Sequence, residues 1–239
     1  MGWYLEGVMA QPFHIAIDGP VAAGKGTVSR LVADRLGFLY VDTGAMYRVT
    51  ALLGQRARLD LQQESDLVKV LHQARIEMRN PTNQEKDGRL TTVLVDGEDV
   101  SWAIRTENVG QGASIVAAHP KVRRVLVEKQ QEIAAGQNVI MEGRDITHRV
   151  LPKAQLKIYL TGGETIRAKR RHLQLLTKGQ DVSFEEVFTQ LLERDRRDMS
   201  RTTDPLKIIP EDWVIDSSDF SIEQVVELIV GKAKVMMTN

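Results

Sequence analysis

Residues 15–27 read Ile15-Ala-Ile-Asp-Gly-Pro-Val-Ala-Ala-Gly-Lys-Gly-Thr27. A short apolar strand signal, Phe13 to Ile17, runs into a Gly-rich turn. Val28, Leu31, Val32 and Leu36 then recur at helical spacing on one face. Strand, Gly-rich turn and helix in that order make a phosphate-binding loop. Gly19 and Gly24 let successive N–H groups turn inward around an anion. The start of the following helix adds partial positive charge. Lys25 supplies a full charge within reach of β- and γ-phosphates. The strict pattern places Ser or Thr directly after the Lys. Here Gly26 intervenes and the hydroxyl arrives at Thr27.

The chain around this loop has 239 residues, enough for one large domain or a domain with an insert. Lys+Arg and Asp+Glu are both 32, so net charge is zero and calls for neither a nucleic-acid nor a membrane partner. With no cysteine, disulfides, thiolate metal sites and Cys nucleophiles are excluded. Apolar runs are too short to span a bilayer. The first residues lack a basic n-region and carry Glu6, so they do not read as a secretory signal. Met9 is a second plausible start, which makes residues 1–8 a dispensable extension. The expectation is a cytoplasmic protein.

Further strand signals fall at Phe38–Val41, Asn138–Met141, Leu156–Leu160 and Trp213–Ile215, separated by helical patterns. Pro120 opens one helix. Ser183-Phe-Glu-Glu186 and Ser221-Ile-Glu-Gln224 read as capping boxes of two others. Strands apolar on both faces, alternating with helices, predict an α/β fold. It is a five-stranded parallel sheet flanked by helices, with ligands at the strands' C-terminal ends. From Arg75 to about Ser114 the rhythm changes to short β pieces, Ile76–Arg79, Leu90–Val95 and Val100. Asn80-Pro81, Asp87-Gly88 and Asp96-Gly97 punctuate them. This segment, 75–114, reads as a small antiparallel insert.

Three more constellations carry chemistry. Asp42-Thr-Gly-Ala-Met-Tyr-Arg48 follows the second strand, where Thr43 can cap the next helix and Arg48 lies one turn on. A plain cap with a solvated Arg is the competing reading. Val139-Ile-Met-Glu-Gly-Arg-Asp145 is an apolar strand ending in an acid. That arrangement puts Glu142 toward the Mg²⁺ shell of a bound nucleoside triphosphate, through water. Arg144 and Asp145 follow at the cleft mouth. Arg167, Arg170 and Arg171 share a helical face, as do Arg194, Asp198 and Arg201. Asp195, Arg196 and Arg197 point elsewhere and read as a solvated face. A charge run is usually solvated, but phosphoryl transfer uses Arg in planar, bidentate geometry.

Five motifs in order, Asp18-Gly-Pro…Gly24-Lys-Gly-Thr27, Asp42…Arg48, Gly97-Glu-Asp-Val-Ser-Trp-Ala-Ile-Arg105, Glu142-Gly-Arg-Asp145 and Glu193-Arg-Asp-Arg-Arg-Asp198, resemble the bacterial cytidylate kinases. The resemblance runs from residue 13 to about 228. It implies a P-loop nucleoside monophosphate kinase fold, with an acceptor-binding insert and a short lid at 165–180 in a single kinase domain. It also implies transfer of phosphoryl from ATP to CMP or dCMP in pyrimidine nucleotide metabolism, with Mg²⁺ arriving with ATP, in a monomer. On the matching positions, Gly19, Pro20, Val21, Ala22, Ala23, Gly24, Lys25, Gly26 and Thr27 would hold the ATP phosphates. Thr43, Arg48 and Arg144 would contact the acceptor and its phosphate. Ser114, Arg123 and Asp145 would read cytosine. Arg194, Asp198 and Arg201 would hold the ribose. Lys25, Arg144, Arg194 and the lid residue Arg170 would serve transfer itself. Thr43 stands where the family more often has Ser. Glu142 replaces a more usual Asp. Ile146-Thr-His-Arg149 departs from the family's Gly-Thr-Val, adding His148 and Arg149 beside the site.

Two other readings remain open on the sequence. One is a kinase of the same fold acting on UMP, AMP or a non-nucleotide acceptor. The other is a nucleotide switch without turnover, although the Asn-Lys-x-Asp motif of a guanine switch is absent.

Overall fold

The computed structural model describes residues 11–85, 87–177 and 179–238. The proposed extension 1–8 lies outside the described residues. The centre is a sheet in the order β2-β6-β1-β7-β8, built of β1 (His14–Asp18), β2 (Leu39–Asp42), β6 (Val139–Gly143), β7 (Leu156–Thr161) and β8 (Trp213–Asp216). All four pairings are parallel. Each strand falls within a residue or two of its sequence signal. Ile15, Ala16 and Ile17 of β1 are fully buried, as a central strand covered on both faces requires.

Two helical layers cover the sheet. Helices α1 (Lys25–Leu36) and α8 (Ile222–Thr238) pack on one face, where Val28, Val32, Val226 and Ile229 are buried with Ile140 and Ile158. On the other face, α2 (Thr43–Arg56), α3 (Glu64–Gln73), α4 (Glu107–Val116) and α5 (Pro120–Ala134) enclose Met46, Val49, Leu67, Leu71, Leu126 and Met141. Burying each such side chain stabilises the fold by roughly 1.5–3 kcal/mol. Pro120 is at the start of α5, and Ser183–Glu186 forms a reciprocal capping box on α7 (Phe184–Ser200). At the start of α8, Ser221 and Gln224 exchange the same pair of bonds.

The second sheet is antiparallel, in the order β3-β4-β5, with β3 (Ile76–Arg79), β4 (Thr92–Val95) and β5 (Glu98–Asp99). Asp96 (φ 51) and Gly97 (φ 86) both take left-handed backbone, the two-residue turn that an Asp-Gly pair favours in a hairpin. The β pieces end at Asp99. Beyond them, residues 107–114 of the expected insert belong to α4. Gly112 lets that helix approach α2, since a Cβ there would meet Leu61 at 2.9 Å and Ala51 at 3.1 Å. Val109, Gly112 and Val116 are the buried face of α4, a helical period that the surrounding turn signals mask in the sequence. The remaining pair, α6 (Glu164–Leu176) and α7, packs as a helical hairpin over the C-terminal end of the sheet.

Candidate active site

The loop between β1 and α1 is shaped by its backbone. A Cβ on Gly19 (φ 152) would lie 2.0 Å from the Leu160 carbonyl oxygen of the adjoining strand, so only glycine fits. Gly24 (φ 90) turns the chain into α1, whose first turn has no side-chain cap. Its N–H groups are therefore free to face an anion. Thr27 lies exposed in that first turn. Lys25 is 5% exposed, and its Nζ donates to the carbonyls of Gly19 and Pro20, each at 2.8 Å. Burial, then Arg144, pull its pKa down to about 7, against Glu142 and Asp18.

Around Lys25 stand several guanidiniums. Arg144 Nε donates to Asp198 Oδ2 at 2.7 Å, joining the end of β6 to α7. Arg48, from α2, donates to the Ile104 carbonyl at 3.1 Å. Arg194 is exposed on α7. Desolvation, then Arg144, nevertheless bring it down to about 10, with Arg48 and Arg171 contributing. Arg48 is lowered by desolvation, then by Arg105 against Asp42, with a further push from Arg171. Groups of one sign that depress one another are held in a field that an anion relieves.

A second cluster lies beside the first. Arg123, 2% exposed, pairs with Asp145 and stacks its guanidinium 5.6 Å from the Tyr47 ring centroid. Arg201 Nη2 lies 3.6 Å from Asp145 Oδ1, and Asp204 lies 3.4 Å from Arg123 Nε. Arg201 Nη2 and both ring nitrogens of His148 are buried without a hydrogen-bond partner. They leave polar capacity to spare at this end of the cleft. Burial, then Lys207, lowers the pKa of His148.

Of the residues singled out in the sequence, Lys25, Arg48, Arg144, Arg194 and Asp198 converge, and Arg123, Asp145 and Arg201 form the adjoining cluster. Ser114 sits exposed on α4 with its hydroxyl toward the Gly110 carbonyl at 3.5 Å. Arg170 turns the other way. It donates to the hydroxyl and carbonyl of Ser217 at 2.9 and 2.7 Å, so Arg171 is the α6 arginine whose charge reaches Arg48 and Arg194. The cap of α2 is Asp42, whose carboxylate accepts from Ala45 N–H at 3.2 Å. Thr43 is one residue inside the helix, and its hydroxyl donates instead to the Glu142 carbonyl at 2.8 Å.

Asp195 corrects the sequence reading outright. It is 6% exposed, not solvated, and paired with Arg167 at 2.6 Å. Val187, Leu191 and Asp195 are the buried residues of α7, at i, i+4 and i+8. The signal was a charged residue continuing an apolar stripe. Asp18 has a structural role that its sequence neighbours do not announce. It is fully buried at the end of β1 and accepts from Ile146 N–H, Thr147 N–H and the Thr147 hydroxyl at 2.8–2.9 Å. Burial raises its pKa to about 6, against those backbone bonds. It thereby ties the phosphate loop to the single π-turn at Ile146–Val150. Arg105 was likewise passed over, and its Nη2 pairs with Asp42 at 2.7 Å.

For a metal ion, the donor set is one of carboxylates at strand ends. Glu142 and Asp42 are Cα partners in the β2–β6 register, and Tyr40 donates to Glu142 Oε1 at 3.2 Å. Burial, then Asp42, raise the Glu142 pKa, against Lys25 and Arg144. Among the described residues no three acidic or His side chains gather as a protein-made cage. One or two carboxylates suit a cation that keeps waters and is held mainly by phosphate oxygens.

A phosphate loop at the centre of a parallel sheet, with Arg144 and Arg194 beside its lysine and Arg48 next to Arg194, defines a kinase of the P-loop class, an enzyme that transfers a phosphoryl group. The cytidylate kinase family profile matches residues 15–235. The chain is 40% identical over 223 residues to a cytidylate kinase of Bacillus thuringiensis (strain Al Hakam), covering 93% of this chain and 96% of that one. It is 39% identical over 226 residues to a cytidylate kinase of Shouchella clausii (strain KSM-K16), covering 95% and 98%. The chain belongs to the cytidylate kinase family. An uncharacterized protein from Eubacterium ventriosum ATCC 27560 shares the fold at 11% identity, with a TM-score of 0.52 over 94% of this chain and 99% of that one.

Proposed function

We propose that this chain transfers the γ-phosphoryl group of MgATP to CMP or dCMP, giving ADP and CDP or dCDP, as a monomer in the cytoplasm. The observation that carries the reading is the placing of a buried Lys25 in a phosphate loop with Arg48, Arg144 and Arg194 around the same cleft, where burial first and neighbouring cations second depress Lys25, Arg48 and Arg194. Two polyanions repel each other. A preorganised field of cations aimed at the transferring group offsets that repulsion without reorganising at the moment of reaction.

In this reading Gly19–Thr27 cradle the donor phosphates with backbone N–H groups. Lys25 exchanges its two carbonyl partners for phosphate oxygens. Arg48 and Arg144 grip the acceptor phosphate, while Arg194 and Asp198 hold the ribose with Arg201 nearby. The acceptor phosphate is ionised at neutral pH, so no strong general base is required. Glu142 would hold Mg²⁺ through water, and the ion arriving with ATP would supply charge neutralisation to the phosphates. The small sheet and its flanking segment, residues 75–106, and the α6–α7 hairpin close over the nucleotides and exclude water.

For the base, Arg123 and Asp145 present a fixed donor and acceptor side by side. Cytosine shows an amine donor beside an N3 acceptor, and uracil shows the reverse. Ser114, exposed on α4, would complete the set. The test is an ADP-release assay with a panel of CMP, dCMP, UMP, AMP and non-nucleotide acceptors. CMP and dCMP should give the highest kcat/KM. Preference for UMP, AMP or a non-nucleotide acceptor would overturn the assignment, and ATP binding without turnover on any acceptor would favour a switch.

A further inference from the structure

Arg167 and Asp195 lie outside the cation cluster but act on the phosphate loop from behind. Arg167 Nη1 donates to the Val21 carbonyl at 3.0 Å and to Asp195 Oδ2 at 2.6 Å, and its Nε donates to the Gly162 carbonyl at 2.8 Å. Asp195 Oδ1 accepts from the Val21 N–H at 3.1 Å. Both polar groups of one loop residue are thus taken by one buried ion pair. Each partner stands on a different helix of the α6–α7 hairpin. The next residue, Ala22, is held at φ 59, a left-handed conformation that a residue with a Cβ rarely takes. Such a backbone persists only where its surroundings over-determine it.

We infer that Arg167 and Asp195 are positioning residues that fix the Val21–Ala22 peptide in its anion-binding conformation and lock the phosphate loop to the hairpin carrying Arg171 and Arg194. Neither residue need touch a substrate. Arg167 commits Nε and Nη1 to two carbonyls and a carboxylate, three of its five N–H donors, which fixes its guanidinium against the loop. The consequence is directional. When α6 and α7 move together, they carry the Val21 peptide with them, so the donor-phosphate site is complete only in one position of the hairpin. On the acceptor side, Arg123 and Asp145 pair with each other off the hairpin, while Arg194 and Asp198 ride on α7 and feel the strut less directly than Val21 does. This inference rests on the proposed function for its two ligands.

The experiment measures dissociation constants of two probes, the non-hydrolysable analogue AMP-PNP with Mg²⁺ and CMP, for wild type and variants. The double variant Arg167→Met/Asp195→Leu removes both charges together and so leaves no buried ion unpaired. Asp195→Asn is the milder second variant, keeping an oxygen for Val21 N–H while weakening the hold on Arg167. Circular dichroism and the thermal midpoint establish that each is folded. The expected result is at least a tenfold loss of AMP-PNP affinity in the double variant and a smaller loss in Asp195→Asn. CMP affinity falls by a clearly smaller factor in both, because Arg194 and Asp198 also ride on α7, and KM for ATP rises more than KM for CMP. Hydrogen exchange should show the Val21–Ala23 amides losing protection. If a folded variant keeps wild-type AMP-PNP affinity, or if both ligands weaken by the same factor, the strut is structural only and the inference fails. Should the double variant not fold, Asp195→Asn decides by the same ratio. Wild type that binds neither probe would sink the kinase reading instead, a result distinct from failure of the strut.

Discussion

Lys25 folds back onto Gly19, its Nζ 2.8 Å from that carbonyl in a site only 5% exposed. The contact closes the loop on itself and holds the ammonium where burial and Arg144 disfavour its charge. Lys25→Met keeps the length of the stem and removes the charge. The thermal midpoint should change by only a few degrees. Turnover should fall by roughly 10²–10³, the loss typical of one preorganised charge at a transferring group. A variant with more than a tenth of wild-type kcat would take the lysine out of the reaction.

The depressed pKa of Lys25, about 7, gives a proton-linkage prediction. Above pH 7 the free enzyme has lost most of that proton, and a polyphosphate beside the amine favours its return. MgATP binding should therefore take up protons at pH 8 and almost none from Lys25 near pH 5.5. Affinity should fall as pH rises through 7 to 8. Calorimetric titration in buffers of different ionisation enthalpy reads the uptake directly. In Lys25→Met the pH 8 uptake should vanish, and its persistence would assign the proton to another group.

Asp145 is paired with Arg123 inside the fold, so its substitution must be gentle. Asp145→Ala would leave Arg123 short of a buried partner, at a cost of about 3–5 kcal/mol. Asp145→Asn keeps the volume but can turn either an oxygen or an N–H toward the base. The ratio of kcat/KM for CMP over UMP should fall by about 5- to 150-fold, the equivalent of about 1–3 kcal/mol of discrimination. Equal losses on both acceptors would mean that the carboxylate only holds the arginines.

Gly19→Ala tests the loop's backbone geometry. The added Cβ would lie 2.0 Å from the Leu160 carbonyl oxygen, and that atom belongs to a central strand that cannot yield cheaply. The cost should be about 3 kcal/mol or more. For a chain of this size that lowers the thermal midpoint by roughly 6–12 °C. Gly24→Ala, with nothing within 4 Å of its Cβ but a φ of 90, should cost less. The reverse order in differential scanning calorimetry would contradict the packing at β7.

Arg105 and Asp42, 2.7 Å apart, connect the end of the small sheet's segment to the end of β2. With CMP and AMP-PNP bound together, hydrogen exchange should slow in residues 75–106 and in α6, as both elements close on two polyanions. Unchanged exchange in both segments would argue against hinged closure.

Sequence alone determined the phosphate loop, the five core strands and their order along the chain, but not α4, which lay inside the expected insert. The Gly19–Thr27 loop, five strand signals and the Asp96-Gly97 turn are local features, set by backbone sterics and hydrophobic period, and each appears where its residues require. Asp42 and Thr43 mark the limit of local reading. Both are good caps, and only the emergence of α2 directly from β2 selected Asp42 and turned Thr43 toward Glu142. The direction of a side chain across the fold was not legible. Arg167, Arg170 and Arg171 share spacing and chemistry. Their fates differ because Asp195 and Val21 meet the first, Ser217 meets the second, and the cleft lies before the third. Asp195 reads as surface charge among Arg194, Arg196 and Arg197. It is buried because the hairpin presses α7 against a loop 174 residues earlier in the chain. Charge pairing over such separations depends on which elements the sheet order 2-6-1-7-8 brings together, and no property of a residue's sequence neighbours encodes it.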